Sequence, residues 1–279
     1  MEESFVLGVS TCIFPGESIS VQDYALLERF GVLSVEIGYG HTGAALSQPS
    51  IREELVALCQ DSRPSVFSVH APYKPDRDLS ALDQDRRTAA VNHAKAALEL
   101  ARRLGARLVV IHCSNAVAAA TRADHHAQAR QSLADLVPIA RELNLRLAVE
   151  LMTPGWLPAG VDEAFEIVDG LDATVVGFCL DTNHANLTGD LSETVHALGS
   201  RLWDVHLSDN NGLREKHWMP FQGVIDWKAF MVALGKAGYA GPLHYELDPQ
   251  PAGVERGLYE IAETFERLMA LSRTGANGT

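Results

Sequence analysis

Six short apolar runs in this sequence each finish on a side chain that can bind a metal or move a proton. They end at His70 in "SVHAPY", His112 in "VIHCS", Glu150 in "AVELM", Asp181 in "CLDTNHA", His206 in "DVHLSDN" and Glu246 in "HYELD". Carboxylates that converge on one buried rim raise one another's pKa unless something positive lies between them. A divalent cation is the simplest counter-charge. Glu150, Asp181, His206 and Glu246 offer three hard oxygens and one imidazole, a set that suits Mn²⁺, Mg²⁺ or Co²⁺ better than a structural tetrahedral zinc. Mn²⁺ is the expected ion, with Mg²⁺, Co²⁺ or Zn²⁺ as alternatives. Glu150 and Glu246 can each hold the metal with one oxygen and move a proton with the other, as general base and general acid.

Other residues surround this set. His70 and His112 either add a second metal beside Glu150 or hydrogen-bond a substrate, and the substrate role is expected. His184 and the "EKH" of Glu215 to His217 offer a third cluster, against the reading of loop histidines as polar surface. Trp156, Trp218 and Phe14 follow strand ends, where they can wall the carbon face of a ligand or simply pack between loops. His41, His93, His125, His126 and His196 have no strand-end position and are read as surface.

The elements that must hold these groups show a regular rhythm. Strand candidates begin at Ser4, Leu33, Val66, Arg107, Arg146, Val175, Leu202 and Leu243, and segments with apolar residues at helical spacing lie between them. Val91, Ala94, Leu98 and Ala101 mark such a segment from about Gln84 to Leu104. Strand then helix, eight times, predicts an α/β protein made of a single (β/α)₈ barrel, with residues 1–272 as the domain and 273–279 as a flexible C-terminal tail. Such a barrel gathers strand ends on one face, so the six residues form a ring. Gly105 and Gly238 read as helix-terminating glycines. Pro138 is expected to kink or split the fourth long helix. "GYGHTG", Gly38 to Gly43, matches a dinucleotide phosphate loop, but the next helix start is at Pro49 and Ser50, so a flexible loop is expected.

Composition narrows the function classes. At 279 residues and 47% hydrophobic the chain can bury a large core, and its formal charge of −13 argues against a phosphate polymer as partner. No nucleic acid and no membrane are expected, since no apolar run reaches the length of a bilayer span. Cys12, Cys59, Cys113 and Cys179 are scattered, without a C-x-x-C pair, which fits small buried hydrophobes in a reducing cytoplasm.

The motifs "HAPYKPDRDLS", "VVIHCS", "VELM", "CLDTNHANLTGD", "DVHLSDNNG" and "HWMPFQGVIDW" resemble those of the xylose isomerase-like barrel superfamily, which holds sugar isomerases and epimerases and the type IV apurinic endonucleases. The resemblance runs from "LGVST" to "LHYEL". It implies carbohydrate metabolism, a small-molecule sugar or polyol substrate, and a homo-oligomer. By it, Glu150, Asp181, His206 and Glu246 correspond to the metal ligands of ketose 3-epimerases, and His184 to a substrate-binding histidine; His217 is grouped with it. A glutamate that those epimerases carry six residues after the first ligand is here Trp156, and an expected arginine is matched only by Arg214. The implied reaction is isomerisation or epimerisation through a metal-stabilised enediolate. An inosose dehydratase would use the same groups. A three-metal endonuclease would use His70, His112, Glu150, Asp181, His184, His206, Glu215, His217 and Glu246, but the loop after the second strand is without a basic residue until Arg52. A barrel that binds a polyol without turnover is the remaining reading, and it would not need both glutamates.

Overall fold

The computed structural model describes residues 5–60, 63–74, 76–249 and 252–276. Eight parallel strands close into a barrel in sequence order, with the last paired to the first. They are β1 (Val6–Ser10), β2 (Ser34–Ile37), β3 (Ser65–His70), β4 (Leu108–Ile111), β5 (Arg146–Glu150), β6 (Val176–Asp181), β7 (Leu202–Leu207) and β8 (Pro242–Tyr245). Closed parallel strands are buried on both faces, which is why they read as nearly continuous apolar runs.

Register explains the ring. Glu150 lies beside Cys179, two residues before Asp181; Asp181 lies beside His206; His206 lies beside His244, two residues before Glu246. Partners and residues two apart share one face of a sheet. All four candidate ligands therefore point into the barrel at the carboxyl ends of their strands, the end where such barrels carry chemistry.

Ten α-helices are present among the described residues: α1 (Val21–Arg29), α2 (Tyr39–Ser47), α3 (Pro49–Gln60), α4 (Gln84–Leu104), α5 (Arg122–Glu142), α6 (Val161–Val168), α7 (Thr182–Ala185), α8 (Leu191–Leu198), α9 (Trp227–Ala237) and α10 (Val254–Ala276). The Asp83 carboxylate caps α4 by accepting from Arg86 N–H, and Gly105 ends it in a left-handed conformation at φ 74°. Its buried face, including Ala90, Val91, Ala94, Leu98 and Ala101, packs into the main core.

Three expectations are corrected. Pro138 does not split α5, which runs unbroken from Arg122 to Glu142. The proline ring deprives only the Ala134 carbonyl of its usual partner, and the buried Leu133, Leu136, Val137 and Ala140 hold the last turns against the core. "GYGHTG" is not a flexible loop but the first part of α2, with Gly38 as N-cap. Packing overrides its low helix propensity: Thr42, Ala44 and Ala45 are buried, and a Cβ on Gly38 would fall 2.4 Å from Cys12 Sγ. His41 is not surface; it is buried with Nδ1 3.1 Å from Thr11 Oγ1. At the carboxyl end, α10 continues to Ala276, and residues 277–279 lie outside the described residues.

All four cysteines are free, and no described helix is long and apolar enough to cross a membrane. Below the ring the barrel interior stays polar on one side. The His244 ring fills the space beside β1, so that a Cβ on Gly8 would come within 2.3 Å of His244 Cδ2. That ring is pinned by Asp204 Oδ1 at 2.8 Å and Ser34 Oγ at 2.9 Å, so it cannot give way easily. Gly8→Ala is expected to cost about 1–3 kcal/mol of stability from overpacking, read by urea unfolding.

Candidate metal centre

One ligand atom from each of Glu150, Asp181, His206 and Glu246 lies within 4.8 Å of the others, and all four residues are buried. Asp181 sits at the junction of β6 and α7. Its Oδ1 caps that short helix, accepting from Asn183 N–H at 2.6 Å and His184 N–H at 3.1 Å. Its Oδ2 is buried without a hydrogen-bond partner. His206 Nδ1 is likewise unpartnered: it stands 2.9 Å from Glu246 Oε2 and 3.8 Å from Glu150 Oε1, close enough for charge attraction but without hydrogen-bond direction. A buried polar atom left unpaired costs about 1–3 kcal/mol. An oxygen and a nitrogen, both unpaired and both facing carboxylates, are the atoms a divalent ion would satisfy, so the donor set fits such an ion.

His70 and His112 take a different position. Both reach the same oxygen, Glu150 Oε2, at 3.1 and 2.9 Å. These two histidines and Glu150 also form a group that could hold an ion. Here, however, Glu150 Oε2 and both Nε2 atoms already have partners, which favours a hydrogen-bonding role. Tyr73 lies flat on His112, with ring centroids 4.1 Å apart, and Trp156 stands edge-on to both. Tyr39 packs against Tyr73 and His70, completing an aromatic wall beside the ring.

The third cluster assembles as well. Glu215 Oε1 is 3.6 Å from His184 Nε2 and 3.1 Å from His217 Nε2, while His217 Nδ1 donates to the Glu246 carbonyl oxygen at 3.1 Å. His184 Nδ1 faces the Leu151 carbonyl, Glu150 Oε1 and Asp181 Oδ2. Of the two readings open for the strand-end aromatics, packing holds for Phe14. Phe14 is buried in the main core and does not wall the site, and Trp218 is 37% exposed in a strand-like bridge to Asp209. Arg214 is exposed in its loop.

Charges interlock. Burial opposes ionisation of Glu150, yet His112, His184 and His206 outweigh it and hold the carboxyl well below its usual range. Burial likewise favours the neutral form of Glu246, and His206 overrides it to about 2. Asp181 goes the other way: burial, with Glu246 and Glu150 nearby, pushes it up to about 6 against the pull of His184. Burial pulls His70 and His217 down, and their carboxylate neighbours raise them to about 9 and about 10. Burial keeps His112 lowered and neutral.

Four participants escaped the sequence reading: Glu36, Asp204, His244 and Tyr73. Glu36 and Asp204 are single acids inside apolar strands, "SVEI" and "LWDVHL", and that isolation was the available signal. Both are fully buried, and Glu36 Oε2 accepts from His206 Nε2 at 3.0 Å.

Because Asp181 titrates near 6 and His206 must give up a proton to act as a donor, protons compete with metal as pH falls. Affinity for Mn²⁺ is expected to drop at least tenfold from pH 7.5 to 5.5, with proton release on binding, both measured by calorimetry in two buffers. Constant affinity across that range would remove Asp181 from the ligand set.

The pattern described as Xylose isomerase-like TIM barrel matches residues 24–264. An uncharacterized protein of Methanocaldococcus jannaschii is 28% identical over 190 residues, 64% of this chain and 63% of that protein. The 3-dehydroshikimate dehydratase of Pseudomonas aeruginosa is 27% identical over 184 residues, 63% of this chain but 28% of the dehydratase. This chain thus spans less than two thirds of either relative. A solved D-tagatose 3-epimerase-like protein superposes with a TM-score of 0.85 at 22% identity, covering 97% of this chain and 99% of that one, which shows a shared fold. With a closed eight-stranded barrel and a family match across most of its length, this chain belongs to the Xylose isomerase-like TIM barrel family.

Proposed function

We propose that this protein is a divalent-metal-dependent enzyme that moves a proton next to the carbonyl of a sugar, as an isomerase or epimerase. The observation that carries this reading is the pair of buried glutamates, Glu150 and Glu246, on either side of the unpaired Asp181 Oδ2 and His206 Nδ1. Glu150, Asp181, His206 and Glu246 would hold the ion. Mn²⁺ is the expected species, and bound there it supplies Lewis-acid polarisation of a carbonyl and its neighbouring hydroxyl oxygen.

The chain's own groups divide the remaining work. Glu150 is fastened by histidines at both oxygens, with His70 and His112 on Oε2 and His184 beside Oε1. That support spreads its charge and fixes its plane, so it is the less mobile of the two. Glu246, 6% exposed against 1% for Glu150, lies nearer the mouth, and the charge that most lowers its pKa is that of His206. Glu246 is therefore ionised, and the oxygen not held by an ion would take a proton from carbon as general base. Glu150 faces it across the ring and, being ionised, would return a proton only by relay from His70, which is raised to about 9 and lies 3.1 Å from Glu150 Oε2. Removal on one side and return on the other inverts a carbon; return to the neighbouring carbon interconverts ketose and aldose. Tyr39, Tyr73 and Trp156 offer apolar surface to the sugar's C–H face, and His184 and His217 offer polar contacts to its hydroxyls.

A second reading has its own support. One relative is a 3-dehydroshikimate dehydratase, and elimination of water also begins with a proton lost beside a carbonyl. An endonuclease activity is disfavoured by the charge of −13. A homo-oligomer rests on the family resemblance, and a cytoplasmic setting on the scattered cysteines.

The test is NMR in D₂O with Mn²⁺-activated protein, quenched and stripped of metal before spectra are taken, across ketoses and inososes. Enzyme-dependent loss of one C–H signal next to the carbonyl is expected, and the product separates epimerase, isomerase and dehydratase. Absence of exchange with every compound would sink the proposal. Glu246→Gln is expected to keep the fold and lower exchange 10²- to 10⁴-fold; exchange at the wild-type rate would remove Glu246 as base.

A further inference from the structure

Beneath the candidate ligands, a fully buried glutamate reaches the far side of the His206 ring. β2 contributes nothing to the ring of strand-end residues, yet Glu36 in its middle is 0% exposed, in a strand buried along its whole length. Glu36 Oε2 receives two donors, His206 Nε2 at 3.0 Å and Ser68 Oγ at 3.2 Å. His206 is thereby held between carboxylates on opposite edges, Glu36 at Nε2 and Glu246 at Nδ1.

We infer that Glu36 is a positioning residue: it holds the His206 proton on Nε2 and so aims the Nδ1 lone pair at the metal. This rests on the metal-dependent reading proposed above. The chemistry is restrictive. A neutral imidazole carries one N–H and one lone pair, and an ionised carboxylate can only accept. With Glu36 as acceptor at Nε2, the proton stays there and Nδ1 is free to donate electrons. A carboxylate behind a ligating histidine also raises its basicity and fixes its ring plane, and losing such a partner commonly weakens metal binding 10- to 100-fold. The ring has little freedom otherwise, because His70 stacks near it at 5.9 Å and His206 is itself fully buried.

A competing use of the same atoms is a second ion. Glu36, Asp204 and His206 lie close enough to hold one, and both Glu36 Oε1 and Asp204 Oδ2 are unpaired. Two observations favour support over a second site. Glu36 Oε2 and His206 Nε2 already satisfy each other, and Asp204 Oδ1 is engaged by His244 Nδ1 at 2.8 Å and by Val205 N–H at 2.9 Å.

The experiment is calorimetric titration of the full chain with Mn²⁺, comparing wild type, Glu36→Gln and Glu36→Leu. The wild type is expected to take one ion in this region. Glu36→Leu should bind it 10- to 100-fold more weakly, and Glu36→Gln, which keeps an acceptor oxygen, should recover much of that loss. A ¹⁵N-histidine spectrum of the Mg²⁺-loaded protein should show a hydrogen-bonded Nε2–H for His206 that disappears in Glu36→Leu. Should Glu36→Leu not fold, the Gln variant and the wild-type spectrum still decide. Binding within twofold of wild type in both variants would overturn the positioning role while leaving the proposed function standing. A second ion lost on changing Glu36 would replace it with a site. No Mn²⁺ uptake by the wild type would end both readings together.

Discussion

The mouth of this barrel depends on pairing buried carboxylates with histidines. Glu36, Glu150, Asp181, Asp204 and Glu246 are all nearly or wholly removed from water. Every ion pair they form among the described residues is with a histidine, never with lysine or arginine. An isolated buried carboxylate is costly, and a permanent cation beside it would neutralise it for good. Imidazole neutralises it conditionally. It carries charge when no other cation is present, and as a neutral donor it can yield that task to a metal. Burial pushes both Glu150 and Asp181 up; several histidines outweigh it at Glu150, whereas at Asp181 burial, with Glu246 and Glu150 beside it, outweighs His184.

Geometry follows from register. A parallel barrel staggers its strands, so residues at equal sequence distance from a strand end do not lie at equal height. The pairings of Glu150 with Cys179 and of His206 with His244 bring side chains from four strands to one level despite that stagger. Packing below it is tight enough that Gly8 cannot carry a side chain without displacing His244. Scaffold and site therefore share atoms: the polar floor of the ring is also part of the barrel's interior.

Much of this was legible from residue order. Eight strand-like runs separated by helical periodicity identify the barrel, and strand-terminal His, Asp and Glu identify the ring, because both patterns are local and repeat. What was missed is nonlocal or contradicts local preference. Glu36 and Asp204 lie within strands, and nothing in "SVEI" says which histidine the acid will meet 170 residues later. His41 looked like a surface residue because its burial comes from α2, a helix whose glycines argue against it. Phe14 could not be placed because a residue after a strand can turn toward the core as readily as toward the mouth. Pro138 does not split α5, because four buried neighbours hold the helix against the core on either side of it.

Asp181 illustrates how this fold fixes the direction of a single oxygen. One of its oxygens is committed to the first turn of α7, bonded to two backbone N–H groups, and that commitment forms as the chain folds. The carboxylate plane is thus locked and its second oxygen is aimed before any ion arrives. The conformational entropy of orienting this oxygen is lost during folding, so an ion captured there would meet a preorganised donor. A helix of four residues, too short to stabilise itself, serves as the latch that sets the direction of a single oxygen.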